Sequence, residues 1–180
     1  MFSKEFSFAF TKTIPVLLGY LAIGMAFGLM LVAAGYPWWL APIMSVLMYA
    51  GAGQYLAVSL FVTNAGLWEV AVLTFLVNSR HMVYGVSLLN RFYGFGWHKL
   101  YMIFALTDET YALQTSLKEP VGLQRKQVYF YIALLDHMYW ILGGVLGAVA
   151  GSLLPIPTKG IGFALTALFM VLVVEQWRST

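Results

Sequence analysis

Residues 69–90 read EVAVLTFLVNSRHMVYGVSLLN, an apolar run long enough to cross a bilayer but interrupted at its centre by Asn78-Ser79-Arg80-His81. Two further apolar stretches carry ionisable clusters near their middles, Thr107-Asp108-Glu109-Thr110 and Asp136-His137. An Arg or Asp at the bilayer centre is unfavourable by roughly 2.5 to 3.5 kcal/mol even on the mildest scale, so Arg80, Asp108 and Asp136 facing lipid would together cost about 8 to 10 kcal/mol. They must therefore face each other, a water-filled cavity, or both. One reading is a substrate or proton pathway; the other is a set of buried ion pairs that fix helix packing.

The surrounding composition sets the class. The chain has 180 residues, 61% of them hydrophobic and 9% charged, with a mean hydropathy of +0.81. A soluble domain carries about a quarter charged residues. The expected fold is all-α, a polytopic helical membrane protein forming a single transmembrane domain over residues 1–180. A formal charge of +3 and ten scattered Lys and Arg do not make a nucleic-acid-binding surface. The absence of cysteine removes disulfides, thiolate catalysis and cysteine metal sites. Lys4 and Lys12 precede a long apolar run with no small-residue cleavage site after it, which reads as a first helix and not a removed signal peptide.

Hydropathy predicts about six transmembrane segments, at 14–34, 38–62, 69–90, 100–117, 128–154 and 161–177. They are separated by Gly35-Tyr36-Pro37, Asn64-Ala65-Gly66, Gly94-Phe95-Gly96, the 118–122 stretch and Pro155-Ile156-Pro157. If every segment crosses, Lys4, Lys12, Lys118, Arg125, Lys126 and Arg178 share one side and Arg91, Lys99 and Lys159 the other, which places both ends in the cytoplasm. A re-entrant segment would change that tally. Trp38, Trp39, Trp68, Trp97 and Trp177 fall near segment ends, as interface anchors do. Three segments followed by three of opposite orientation would form a 3+3 inverted repeat, with residues 45–53 of the second segment and 136–144 of the fifth as partners by position.

Each cluster has its own chemistry. Gly51 and Gly53 near the middle of the second segment each lower helix propensity by about 1 kcal/mol relative to Ala, so a broken second helix is expected there, with Gln54 beside it. Unwound backbone in a membrane is tolerated only inside protein or along a cavity, and discontinuous helices of this kind bind substrates; close packing through small residues is the other reading. Asn78 and His81, three apart, share a helical face, while Arg80 projects about 160° from Asn78 and can pair bidentately with a carboxylate of the protein or of a substrate. Asp108 and Glu109 are its expected resting partners. These two diverge by about 100° and cannot share one tight pocket. Two carboxylates at this depth tend to retain a proton between them, as a proton-coupled carrier needs. The structural reading instead pairs one with Arg80 and the other with His81 or His137. On the fifth segment Asp136, Tyr139, Trp140, Gly143 and Gly147 share one face. Gly143-x3-Gly147-x3-Gly151 and Gly24-x3-Gly28 are packing seams. Glu175 reads as interfacial. His81, His98 and His137 lack a regular ligand spacing, so neither a metal nor another cofactor is expected.

The motifs in order are Pro15-Val16-Leu17-Leu18-Gly19-Tyr20, the 45–54 run ending Tyr49-Ala50-Gly51-Ala52-Gly53-Gln54, Asn78-Ser79-Arg80-His81, Thr107-Asp108-Glu109-Thr110 and Leu135-Asp136-His137-Met138-Tyr139-Trp140. This set resembles the AzlC family over essentially the whole chain. The resemblance implies the large subunit of a branched-chain amino acid exporter in the bacterial inner membrane. Such a subunit moves leucine, isoleucine and valine, and in some members methionine, coupled to proton entry and working with a small AzlD-like membrane subunit. Family members usually carry further hydrophobic sequence after a stretch like Val174-Glu175-Gln176-Trp177. On this reading Asp136 or Asp108 takes the proton, Arg80 attracts the substrate carboxylate or gates it by pairing with Asp108, and the 51–54 break contacts the zwitterion. Gly51, Gly53, Gln54, Asn78, Arg80, His81, Asp108, Glu109, Asp136 and His137 are thus the expected substrate-binding or proton-coupling residues. An uncoupled channel or facilitator, and a structural subunit whose charges only pair with a partner's helices, are the rival readings. No nucleophile or metal constellation supports an enzyme.

Overall fold

A computed structural model describes residues 3–117 and 122–154, all of whose regular structure is helical. The helices are α1 (Lys4–Ala33), α2 (Leu40–Leu47), α3 (Gly51–Thr63), α4 (Leu67–Leu88), α5 (Trp97–Phe104), α6 (Asp108–Ser116) and α7 (Arg125–Leu153). Residues 118–121 of the expected 118–122 turn, the Pro155-Ile156-Pro157 break, the 161–177 segment with Glu175 and Trp177, and Lys159 and Arg178 lie outside the described residues. Two of the described helices, α1 and α7, are long and apolar enough to cross a membrane.

α1 starts ten residues before the expected 14. Ser3 caps it by accepting the Phe6 amide at 3.2 Å. Its polar first turns, which hydropathy discounts, are held by an edge-on contact of Phe6 with Tyr131. From there α1 runs parallel to α7, as the successive pairs Phe6 with Tyr131, Thr13 with Tyr139 and Gly24 with Gly143 record. The seam is made of glycines facing backbone. A Cβ added at Gly24 would lie 3.1 Å from the Gly143 Cα and from the Trp140 oxygen, and one at Gly143 would lie 2.7 Å from the Tyr20 oxygen. At Gly28 and Gly147 an added Cβ would overlap the opposing backbone outright. The two stripes expected to pack do so, and against each other.

With α7 as a ruler, the second and fourth segments depart from the expected crossing pattern. α2 leads inward from the α7 C-terminal end until the Ser45 carbonyl meets His137, and the chain then breaks at Met48-Tyr49-Ala50. α3 begins beside Trp140, passes the Ile23 carbonyl at Tyr55, and comes back to the starting end, where Phe61 packs on Tyr36. The fourth segment repeats this from the opposite end. α5 rises along α7 from the His98 contact with Phe130 to the Phe104 contact with His137, breaks at Ala105-Leu106-Thr107, and α6 descends from Thr110 beside Asp136 to Gln114 beside Tyr129. α6 accordingly runs parallel to α4 at a constant separation of 24 residues, through Tyr84 with Asp108, Ser87 with Tyr111 and Arg91 with Thr115.

Each of these segments is a hairpin of two half-helices, not a through-going span. α4 runs from the end where the first hairpin closes to the end where the second opens. Three long helices and two opposed hairpins replace five alternating segments. The 3+3 partnership of 45–53 with 136–144 is also corrected, because α7 is continuous through 136–144. The recurring unit is a long helix followed by a hairpin, α1 with α2 and α3, then α4 with α5 and α6. The predicted break in the second segment is present but precedes the glycines. Gly51 and Gly53 sit in the first turn of α3, where added methyl groups would meet the Trp140 ring at 3.2 Å and the Asn78 amide at 3.0 Å.

The seam gives a direct test. Gly147→Ala and Gly28→Ala should each destabilise the detergent-solubilised protein by about 1 to 3 kcal/mol, the usual range for overpacking. Gly19→Ala, where nothing lies within 4 Å of the added methyl, should leave the melting temperature unchanged or raise it slightly.

Candidate functional site

Both hairpin tips end at the same depth, beside Asp136 and His137 of α7, and the polar residues of four helices gather there. Thr107 starts α6. It has extended backbone, its side chain accepts the Thr110 amide at 3.2 Å, and Asp108 and Glu109 fill the first turn, where the positive end of the helix favours them. That local preference sets the directions of the three polar side chains that follow.

Asp108 turns toward α4. Its carboxylate pairs with Arg80 at 2.6 Å and accepts the Tyr84 hydroxyl at 2.6 Å. Glu109 turns toward α1 and accepts the Tyr20 hydroxyl at 2.7 Å, while Tyr20 also bonds Thr107. Thr110 turns toward α7 and donates to Asp136 Oδ2 at 2.8 Å. The expected divergence of the two acids is observed, and so is the Arg80 pair. Glu109, however, meets a tyrosine and neither His81 nor His137, because the first turn of α6 faces α1 at this point.

His137 is fixed at both nitrogens. Nε2 lies 3.1 Å from the Ser45 carbonyl, to which it can only donate, so Nδ1 is left to accept the Tyr101 hydroxyl at 3.0 Å. Tyr49 stacks on the imidazole with ring centroids 4.2 Å apart. The ring thus bolts the end of α2, the first tip and α5 to α7. Gln54 accepts the Trp140 indole N–H and donates to Ser45 at 3.3 Å, a role in holding the first hairpin closed. Gly53 faces Asn78, whose Oδ1 is buried without a hydrogen-bond partner. His81 stands edge-on to Tyr84 at 6.0 Å, on the side of the Arg80 pair. His98 packs against Phe130, well along α5 from the tip.

The group has a dry half and an open half. Asp136, His137, Tyr49, Thr107 and Thr110 are buried, whereas the side chains of Arg80 and Asp108 are 27% and 41% exposed and Glu109 is exposed. The Arg80, Asp108 and Glu109 side of the group is therefore its open side. Tyr20, Tyr49, Thr107 and Thr110 stand in the quoted motifs but were not among the expected site residues, and Tyr84 and Tyr101 were not singled out at all. Two signals could have found them: tyrosines far from the segment ends, where an interface role cannot explain them, and a threonine followed by two acids, which marks a helix start.

A family model described as AzlC protein matches residues 15–154, which contain all five motifs and the whole of this polar group. The chain belongs to the AzlC family. Among AzlC relatives, an uncharacterized membrane protein of Helicobacter pylori (strain ATCC 700392 / 26695) is 43% identical over 179 residues, covering 99% of this chain and 78% of its own length. The branched-chain amino acid transport protein AzlC of Bacillus subtilis (strain 168) is 34% identical, covering 96% of the chain and 68% of that protein. The inner membrane protein YgaZ of Escherichia coli (strain K12) is 28% identical, over 92% and 71% respectively. No solved structure matches the chain.

The Arg80 and Asp108 pair should behave as a unit. In a double-mutant cycle of Arg80→Ala and Asp108→Asn, read by unfolding in detergent, the double variant should be less destabilised than the sum of the singles by about 1 to 2 kcal/mol. Strict additivity would mean that the pair contributes no coupling.

Proposed function

We propose that this AzlC protein is a secondary transporter, not an enzyme, and exports branched-chain amino acids through the meeting point of its two hairpin tips. The carrying observation is the opposed hairpins. Because α3 and α6 start at the tips and α2 and α5 end there, two positive and two negative helix ends converge at one depth. A zwitterion needs that pairing: a carboxylate is favoured at half-helix N-termini and an ammonium at freed carbonyls. The name of the Bacillus relative supports leucine, isoleucine and valine as substrates.

The charge distribution supports an orientation. Lys4, Arg91, Lys99, Arg125 and Lys126 all stand at the α7 N-terminal end, and Lys12 turns back toward it over Phe8. Among the described residues the opposite end carries no Lys or Arg. The six-to-three bias of alternating segments becomes one-sided among the described residues when both hairpins fold back, and it favours the α7 N-terminal end on the cytoplasmic side of the inner membrane. On this reading α1, α4 and α7 cross, and the hairpins enter from opposite faces.

Arg80 is the gate. In its pair with Asp108 it is withheld; released, it offers a bidentate donor to the substrate carboxylate. Asp136, buried and held by one threonine, carries the coupling proton. A small AzlD-like membrane subunit fits the open α4 and α6 flank, where polar atoms at mid-depth need cover.

Proteoliposomes holding this chain with such a subunit should release labelled isoleucine when a pH gradient is imposed, and Arg80→Ala should reduce the rate at least about tenfold, as expected for the loss of a charge-assisted pair. Equal efflux with and without the gradient would replace the coupled exporter by a facilitator. No efflux with the partner present would point to a structural subunit.

A further inference from the structure

Asp136 is the one buried carboxylate among the described residues, and it is only half satisfied. Oδ2 accepts the Thr110 hydroxyl, but Oδ1 is buried with no hydrogen-bond partner. The Tyr49 hydroxyl, at the first tip beside Thr110, Tyr20, Asp136 and Glu109, is also buried and has no partner in hydrogen-bond geometry. Tyr49 has a φ of +33°, a conformation that a bulky residue adopts only when its surroundings impose it. Its ring stacks on His137.

The other titratable groups that face this place from the neighbouring helices each have a partner. Tyr20 of α1 donates to Glu109, Arg80 of α4 is paired with Asp108, Tyr101 of α5 is bonded to His137, and Tyr139 of α7 is bonded to Thr13. Glu109 of α6 adds a second negative charge, and no cation faces Asp136 among the described residues. A buried acceptor left in that state calls for a donor, and the local charge calls for a positive one. A primary ammonium has three N–H donors. Asp136 Oδ1 and the Tyr49 oxygen can take two of them, and the carbonyls freed where α2 and α5 end can take the third.

Resting on the transport reading above, we propose that the α-amino group of the substrate docks on Asp136 with Tyr49 as second acceptor, and so competes with the coupling proton for one carboxylate. Binding of the ammonium to protonated Asp136 releases that proton through the open Asp108 and Glu109 flank to the water on the side that delivers the substrate. No further reactant is needed. One carboxylate can then serve substrate and proton alternately, which makes their exchange obligatory.

The test is displacement of labelled isoleucine from the protein in nanodiscs by 2-methylbutylamine, which keeps only the ammonium, and by 3-methyl-2-oxopentanoate, which keeps only the carboxylate. The amine should compete, and acidification should weaken isoleucine and the amine but not the keto acid. Asp136→Asn should weaken isoleucine and the amine at least about tenfold and spare the keto acid, and Tyr49→Phe, which removes a single oxygen, should do the same to a smaller degree. An amine that fails to compete, or an Asp136→Asn protein with unchanged amine affinity, overturns the assignment while the transport reading stands. A wild-type protein that binds no isoleucine overturns both.

Discussion

Backbone buried inside a protein cannot be left without hydrogen bonds, and this chain breaks its helices twice beside the middle of α7, at 48–50 and at 105–107. Most of the architecture follows from that constraint. The breaks are tolerable only if each covers the other and both are closed by side chains from continuous helices. α7 supplies the closure: His137 takes the Ser45 carbonyl, Trp140 takes Gln54, and Asp136 takes Thr110. Those contacts require α7 to lie deep in the molecule, and the glycine seam with α1 is what lets it do so. A methyl group at Gly147 would push the helices apart and withdraw the same side chains from both tips.

The polar groups divide between two tasks. One set holds the tips: the histidine bonded at both ring nitrogens, the Gln54 amide, and the threonine cap of α6. The other set retains unused capacity, in Asp136 Oδ1, the Tyr49 hydroxyl, the Asn78 oxygen and an arginine paired at an exposed flank. A purely structural polar core would satisfy its members, because each unsatisfied buried group opposes folding. Retained capacity next to a satisfied framework is the expected form of a site that changes partners.

Much of the site was legible in the sequence because the cost of charge in a membrane is steep. Arg80, Asp108 and Asp136 had to face each other, water or both: Arg80 pairs with Asp108, and Asp136 is buried against Thr110 of the same α6 turn. Arg80 pairs with one of the two acids expected for it, Asp108, and the packing of the Gly24 and Gly143 stripes followed from their helical spacing. The hairpins were not legible, because hydropathy measures length and polarity but not direction: 25 apolar residues can cross once or enter and return. The Thr107-Asp108-Glu109 run was read as charge when it is also a helix start, and that second meaning marks the break in the fourth segment. At the first tip the glycines drew attention to 51–54, but they allow α3 to pack against Trp140 and Asn78, and the chain turns just before them, at Met48-Tyr49-Ala50.

The two opposed hairpins carry the whole account, and side-specific labelling tests them most directly. The chain has no cysteine, so single cysteines at Pro37, Gly66, Tyr93 and Gln124, all exposed, can be probed in intact cells with a membrane-impermeant maleimide. Opposed hairpins predict labelling at 37 and 66, both at the α7 C-terminal end, and protection at 93 and 124. Labelling at 37 and 93 with protection at 66 would mean that the second and fourth segments cross the membrane after all, and the convergence of their tips would be wrong.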